Sequence, residues 1–251
     1  IHARLMAAAD GTRSLVREQL QVPTREHDYR QSAIITNVTP SRPHENVAYE
    51  RFTESGPIAL LPMSENRCGL VWTWHSDSTQ KPLAWDDDNF LANLQDAFGF
   101  RLGRFLRVGQ RFSYPLRLLM AQRAVHGRIA LIGNAMHTLH PVAGQGFNLG
   151  IRDVAALGDV VATALRGGHD LGSPAVLDAY ESWRRRDQET LALVTDGLAR
   201  VFTNPLGPVR WGRNLGLLFT DLFPGVRHGI ARHAMGLTGY LPRLSRGLRL
   251  D

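Results

Sequence analysis

Apolar residues bunch, alternate and then recur at helical spacing as the chain is read from its first residue to its last. Leu5 to Ala9 form a short apolar run that stops at an Asp10-Gly11 turn, and Ser14 to Leu20 read as a helix, so the chain opens strand, turn, helix. From Tyr29 to Ser76 the pattern becomes that of strands, in SAIITNV, NVAYERF, PIALLPM and CGLVWTWHS. Val47, Tyr49 and Arg51 alternate with Ala48, Glu50 and Phe52, as a strand with two unlike faces requires. The polar stretch SENR between PIALLPM and CGLVWTW predicts a hairpin. WDDDNFLANLQDAFGFRLGRF then predicts a helix with three aspartates at its start, where the helix dipole favours negative charge.

RIALIG, residues 128–133, is the next buried strand, and a glycine-rich loop follows it. Val154, Leu157, Val161 and Leu165 recur at helical spacing, and Gly167-Gly168 ends that helix. Ser173-Pro174 opens another long helix in cap-then-proline order. Its middle, ESWRRRDQE, is so polar that only one stripe can be buried. The rest reads as helices interrupted by glycine and by Pro205, Pro208, Pro224 and Pro242. Two strand-to-helix pieces thus flank a sheet-rich block. Two parallel strands of one domain with a second domain inserted between them give this order, an α/β (α+β) fold with an inserted antiparallel sheet and C-terminal helices. The expected boundaries are 1–24 and 119–168 for the two pieces, 25–118 for the insertion and 169–251 for the helical end.

Composition narrows this little. A hydrophobic fraction of 43% and a charged fraction of 21% belong to a globular chain. The single cysteine, Cys68, excludes an internal disulfide and suits a reducing compartment. No apolar run approaches the roughly 18 residues of a membrane span. The net charge of +6 is more informative, because Lys81 is the only lysine and the excess lies at the end. Arg210, Arg213, Arg227, Arg232, Arg243, Arg246 and Arg249 face only Asp221 and Asp251 after Leu206, a local net charge of +5. No nucleic-acid-binding motif accompanies them. VRWGRNLGLLFTDLF mixes tryptophan, arginine and leucine as an interfacial helix does, and a helix packed on its own enzyme or a partner fits as well.

The central loop carries the candidate chemistry. Gly144 and Gly146 leave no side chain between backbone N–H groups and a ligand, and a helix beginning near Asn148 adds its unpaired N–H groups and positive dipole end. The spacing through Gly150 is one residue too long for the dinucleotide fingerprint, so this is not the primary pyrophosphate loop. A glycine-rich connection with a plain helix cap is the bland alternative. His137 and His140 stand at metal-pair spacing, but no third ligand is near, so no metal is expected. No G-x-S-x-G elbow supports hydrolysis.

LIGNAMHTLHPVAGQGFNLGIRDV resembles the G-D-x-x-H…P…G-Q-G-x-N-x-G-x-x-D signature of class A FAD-dependent aromatic hydroxylases, and AADGTRS resembles their Asp-Gly motif. HTLHPVAGQGFNLGIRDV, ERFTESGPIALLPMSENRCGLVW and DAFGFRLG are most similar to the ubiquinone-biosynthesis branch and its 2-polyprenyl-6-methoxyphenol hydroxylases. The resemblance runs from about residue 5 to residue 220. It implies a Rossmann-like FAD-binding domain and a monooxygenase that draws electrons from NAD(P)H to hydroxylate a polyprenylated phenol. It further implies that Asp10, Gly11 and Arg13 lie near the pyrophosphate, and Gly133 and position 134 near the ribityl or pyrophosphate part. The family usually has aspartate where this chain has Asn134, which keeps an acceptor and removes a charge. Pro141, Gly144, Gln145, Gly146, Phe147 and Asn148 would follow the flavin edge, with backbone donors toward the charge of the reduced ring. Phe52, Leu60, Met63 and Trp72 are the candidate substrate wall, although plain sheet core explains each one equally well.

No indispensable acid or base is expected, since the cofactor supplies the chemistry. The family's first G-x-G-x-x-G motif is not in the sequence and the chain begins at Ile1, so it reads as the C-terminal part of a larger enzyme. Such a part alone is expected to be colourless, inactive and self-associating. The intact protein is expected in the cytoplasm, with peripheral contact to the inner membrane and to other ubiquinone-biosynthesis proteins. The alternatives are a flavin hydroxylase or halogenase for another aromatic, or a lipid-binding or assembly module without activity.

Overall fold

In the computed structural model the described residues are 2–53, 55–140, 145–203, 222–234 and 241–250, with isolated positions 207, 211, 212, 216 and 220. In chain order they form β1 (Met6–Ala8), α1 (Leu15–Gln19), β2 (Thr24–Pro40), β3 (Tyr49–Thr53), β4 (Gly56–Met63) and β5 (Arg67–His75). Then come α2 (Gln80–Ala84), α3 (Asp87–Phe98), β6 (Phe105–Val108), β7 (Phe112–Ala121), β8 (Val125–His126), β9 (Ile129–Leu131) and β10 (His137–Thr138). Two long helices, α4 (Gln145–Arg166) and α5 (Pro174–Thr203), and a helix at Pro224–Ala234 complete the order. The chain divides into two units. One comprises Ile1–His27, Arg117–Leu198 and Asn214–Asp251, the other Asp28–Leu116 and Ala199–Arg213.

In the first unit β1 and β9 pair in parallel, Met6 with Ile129 and Ala8 with Leu131, and β8 adds to β9 antiparallel. The two strand-to-helix pieces of the sequence therefore meet in one sheet. Ala8, Ala130 and Leu131 pack with Ala156 and Leu157 of α4 and Leu177 and Tyr180 of α5 in one apolar core. The buried side of α4 runs through Leu149, Asp153, Ala156, Leu157 and Ala164, whereas Val154 and Leu165 are exposed. Of the helically spaced Val154, Leu157, Val161 and Leu165, Leu157 and Val161 therefore meet the core and the other two face outward. Alanines let the helix approach the sheet closely, and the inward polar residue, Asp153, is matched by partners that no local pattern displays.

The second unit holds most of the antiparallel sheet. The expected hairpin forms with Met63 opposite Arg67, and the order β2, β5, β4, β3 places β2 beside β5, with β6 also on β2. Ile34, Ile58, Leu60, Leu70 and Trp72 make one face and pack on Phe90, Leu94 and Phe98 of α3. Asp86 caps α3 by accepting the Asn89 N–H at 2.8 Å. The helix stops at Phe98, short of the Phe105 that the sequence pattern suggests, because Gly99 takes φ +88°. Gln95 then stitches the turn, donating to the carbonyls of Gly99 and Gly103 and accepting from Phe105 N–H, which delivers Phe105–Val108 to the sheet.

Candidate functional site

Both signature segments lie in the first unit, at the ends of its parallel strands. After β1 the chain turns through Asp10 and Gly11, with Gly11 at φ +87° and open space where a Cβ would stand. Asp10 accepts the Ser14 hydroxyl at 2.6 Å and the Val16 N–H at 3.2 Å. The hydroxyl bond foremost, with the backbone bonds, holds the Asp10 carboxyl below its ordinary range although burial works against it. Its visible work is thus to build the start of α1, whose first residue follows the capping Ser14.

After β9 the chain enters a 3-10 turn at Gly133–Ala135, with Gly133 at φ +56° and the Asn134 side chain exposed. Arg17 joins the two turns. Its buried guanidinium donates to Thr12 O and to Ala135 O, each at 2.8 Å. The hydroxyls of Thr12 and Thr138 add a bond at 3.1 Å. Arg13, the cation singled out from the sequence, is exposed, and the buried tie is Arg17, three residues after Ser14. The signal that could have found it is its place on α1: a cation one helical turn beyond the cap turns back toward the loop.

The second turn is held from behind by Asp153 of α4. One carboxylate oxygen accepts the Gly133 N–H at 3.0 Å and His137 Nε2 at 2.6 Å. The other accepts Arg184 Nε at 2.8 Å and Gln188 Nε2 at 3.0 Å, both from α5. Burial alone would raise the Asp153 carboxyl, but the hydrogen bond from His137 and the charge of Arg184 outweigh it and hold it low. Arg184 also bonds Asp187 at 2.7 Å, which in turn takes Arg152 at 2.9 Å. His137 is thereby engaged by a carboxylate, and among the described residues no three His, Cys, Asp or Glu side chains cluster as metal ligands. None of the sequence motifs assigned a role to Arg184 or Gln188. Only their successive four-residue steps from Tyr180 hint that a polar stripe faces inward.

Of the expected flavin-edge residues, Pro141 and Gly144 lie outside the described residues. Gln145 opens α4, with its side chain likewise outside. Among the described residues a Cβ on Gly146 would meet nothing within 4 Å, Phe147 is 78% exposed and Asn148 is exposed. The start of a 22-residue helix with open backbone and unburied side chains, beside two turns locked to one another, suits a ligand bearing anionic and carbonyl oxygens. The residues present fit an FAD held from this side.

The four candidate substrate-wall residues do not share a surface. Leu60 and Trp72 are 0% and 3% exposed and belong to the core beneath α3. Phe52 pairs with Pro57 on the opposite face, which also carries Met63 and Leu61, 39% and 46% exposed. The strand alternation puts odd and even positions of β4 on opposite faces, so Leu60 and Met63 could not both line one wall.

A parallel strand pair carrying an Asp-Gly turn and a glycine-rich helix entry, with a large antiparallel sheet, defines a flavoprotein hydroxylase fold. The chain belongs to the FAD binding domain family, whose model matches residues 1–193. It is 44% identical over its whole length to ubiquinone hydroxylase UbiL of Rhodospirillum rubrum, covering 59% of that protein. Human mitochondrial ubiquinone biosynthesis monooxygenase COQ6 is 31% identical over 92% of the chain, and 3-demethoxyubiquinol 3-hydroxylase of Escherichia coli 32% over 94%. The chain spans 57% and 60% of these two relatives. Among solved structures, p-nitrophenol 4-monooxygenase PnpA from Pseudomonas putida has a TM-score of 0.72 at 18% identity, covering 92% of this chain and 59% of that one. HpxO of Klebsiella pneumoniae, complexed with FAD and uric acid, has 0.65 at 21%, covering 85% and 55%. These two share the fold.

Proposed function

We propose that this chain forms the flavin-side and substrate-side part of an FAD-dependent monooxygenase that hydroxylates the ring of a polyprenylated phenol in ubiquinone biosynthesis. The observation that carries the proposal is the Arg17 tie between Thr12 and Ala135, which makes one rim of the two signature turns. Bound FAD supplies the redox and oxygen-transferring chemistry, with NAD(P)H as reductant. The chain's own residues bind and orient. The backbone N–H groups of Gly146 and Phe147 would hold the ring's carbonyl edge, and the Asn134 amide would take a ribityl or phosphate oxygen. Arg13, exposed next to the Asp-Gly turn, serves the pyrophosphate. Phe52 and Met63, on the face of the sheet not covered by α3, contact the apolar substrate, and Leu60 and Trp72 stiffen that sheet from below.

No helix among the described residues is long and apolar enough to cross a membrane. For a polyprenylated substrate we infer peripheral contact instead, through the arginine-rich end, where Trp211 and Leu222 are 74% and 64% exposed. Most of the segment 206–221 lies outside the described residues. The activity is tested with the FAD-loaded full-length protein, NAD(P)H and ¹⁸O₂. A polyprenylated phenol should accelerate NAD(P)H oxidation and emerge with one ¹⁸O on the ring. Oxidation that responds only to small, unprenylated aromatics would point to the alternative flavin hydroxylase.

A further inference from the structure

Helix α5 buries a stripe that reads Leu177, Tyr180, Arg184, Gln188, Leu191, Thr195, each at most 3% exposed. A helix that only docks would carry leucine at 184 and 188, because a buried guanidinium and a buried amide must be matched bond for bond. Docking is already provided elsewhere on the same helix. The Tyr180 hydroxyl donates to Leu131 O at 3.1 Å, and Glu181 accepts Ala124 N–H at 2.8 Å. Arg184 and Gln188 instead converge on a single oxygen of Asp153, whose other oxygen holds Gly133 N–H and His137.

We propose that Arg184, assisted by Gln188, is a positioning residue for the flavin turn Gly133–Ala135, acting through the Asp153 carboxylate. The proposal rests on the FAD reading above. Four donors from two chain segments saturate one carboxylate on a third, so its plane has no freedom to rotate, and the Gly133 N–H is fixed with it. Gly133 sits at φ +56°, in the left-handed region that favours glycine, and Asn134 follows directly. Without the Arg184 charge, Asp153 keeps only His137, the Gly133 N–H and the Gln188 amide as donors. Its carboxyl plane is then free to turn or to take up a proton, and in both cases the grip on the Gly133 N–H weakens. Asp187 reinforces the arrangement by holding the far side of Arg184 while also binding Arg152, the residue next to Asp153 on α4.

The test uses the full-length protein and measures FAD dissociation constant, visible circular dichroism of the bound flavin and melting temperature together. Arg184→Met should weaken FAD at least tenfold and change the flavin dichroism, and Arg184→Lys should recover part of both. Tyr180→Phe removes a docking bond of the same helix without touching Asp153, so it should lower the melting temperature and leave FAD affinity within twofold. If Arg184→Met does not fold, Gln188→Met carries the test, with a roughly threefold loss and the same dichroism change expected. Unchanged affinity and dichroism in the Arg184 or Gln188 variant would overturn the proposal. So would Tyr180→Phe and Arg184→Met weakening FAD in proportion to their loss of stability, since that is plain docking. A wild-type protein that takes up no FAD fails the functional reading itself, and is seen before any variant is compared.

Discussion

Gly133 and Gly150 meet backbone to backbone: a Cβ built on Gly150 would stand 3.3 Å from the Gly133 Cα. The third glycine of the loop motif thus admits the neighbouring turn, and the ligand side of the loop does not require it. Alanine at 150 gains about 1 kcal/mol of helix propensity and loses a similar amount to the tight contact, so Gly150→Ala should melt within a few degrees of wild type. Gly150→Val adds branches that Gly133 cannot accommodate while Asp153 holds its N–H. A loss of about 2–3 kcal/mol in urea unfolding is expected. A valine variant as stable as wild type would show that the two segments separate easily.

Gly146 gives the opposite prediction. Among the described residues nothing lies within 4 Å of its would-be Cβ, so the described part of the protein leaves room for Gly146→Val. The full-length variant should fold normally and retain at least tenfold less FAD, as read from the ratio of flavin to protein absorbance after gel filtration. Normal flavin content would remove this edge of α4 from the binding site.

The two arginines of the first signature should separate cleanly. Arg17→Ala deletes two buried charge-assisted bonds, to Thr12 O and Ala135 O, and should cost about 2–4 kcal/mol of stability. Arg13→Ala, at an exposed position, should change stability by less than about 0.5 kcal/mol and show itself only in weaker FAD binding. Denaturant melts and FAD titrations on both variants check this. If Arg13→Ala leaves FAD affinity untouched, the exposed arginine has no part in holding the phosphates.

His140 should make the protein acid-sensitive. Burial lowers its pKa from 6.5 to about 4, with the Asp196 charge opposing the shift. The folded state therefore resists a proton that the unfolded chain accepts, and stability should be level above pH 6.5 and fall as the pH drops toward 4. The slope is at most about 1.4 kcal/mol per pH unit, or about 3 kcal/mol over the window. His140→Gln should flatten the melting temperature across that range, and a slope unchanged by the substitution would assign the acid sensitivity elsewhere.

The arginine-rich end should bind anionic vesicles with an affinity that falls as salt rises, because such attraction is screened over about 10 Å at 0.1 M salt. Sedimentation with vesicles of phosphatidylglycerol and phosphatidylcholine at 0.05 and 0.5 M salt measures it. Salt-independent binding, or none, would favour a tail packed on protein.

Features encoded within a few residues were legible from sequence: the hairpin from Met63 to Arg67, the aspartate-rich start of α3, and the opening of α5 at Ser173-Pro174. The parallel pairing of β1 with β9 was legible only as an order of elements, because nothing local marks strands so distant as neighbours. The first half of β2 escaped notice since Thr24 to Arg30 is largely exposed and polar, so it carries neither alternation nor an apolar run. Arg17, Asp153, Arg184 and Gln188 escaped for a different reason. Buried polar residues break the apolar stripe by which a helix face is recognised, and they announce their place only when their partners arrive from other segments.

The bonds around Asp153 span 16 to 35 residues, while the Arg17 tie to Ala135 closes 118. On a folding trajectory the turn, α4 and α5 can therefore assemble as a local nucleus, and β1 with α1 must wait for the intervening chain to bring its ends together. Kinetic measurements should separate the two groups accordingly. Substitutions at Asp153 or Arg184 should slow refolding, whereas those at Ala8 or Arg17 should chiefly hasten unfolding. The rim formed by the two signature turns is then the last part of this unit to close and the first to open.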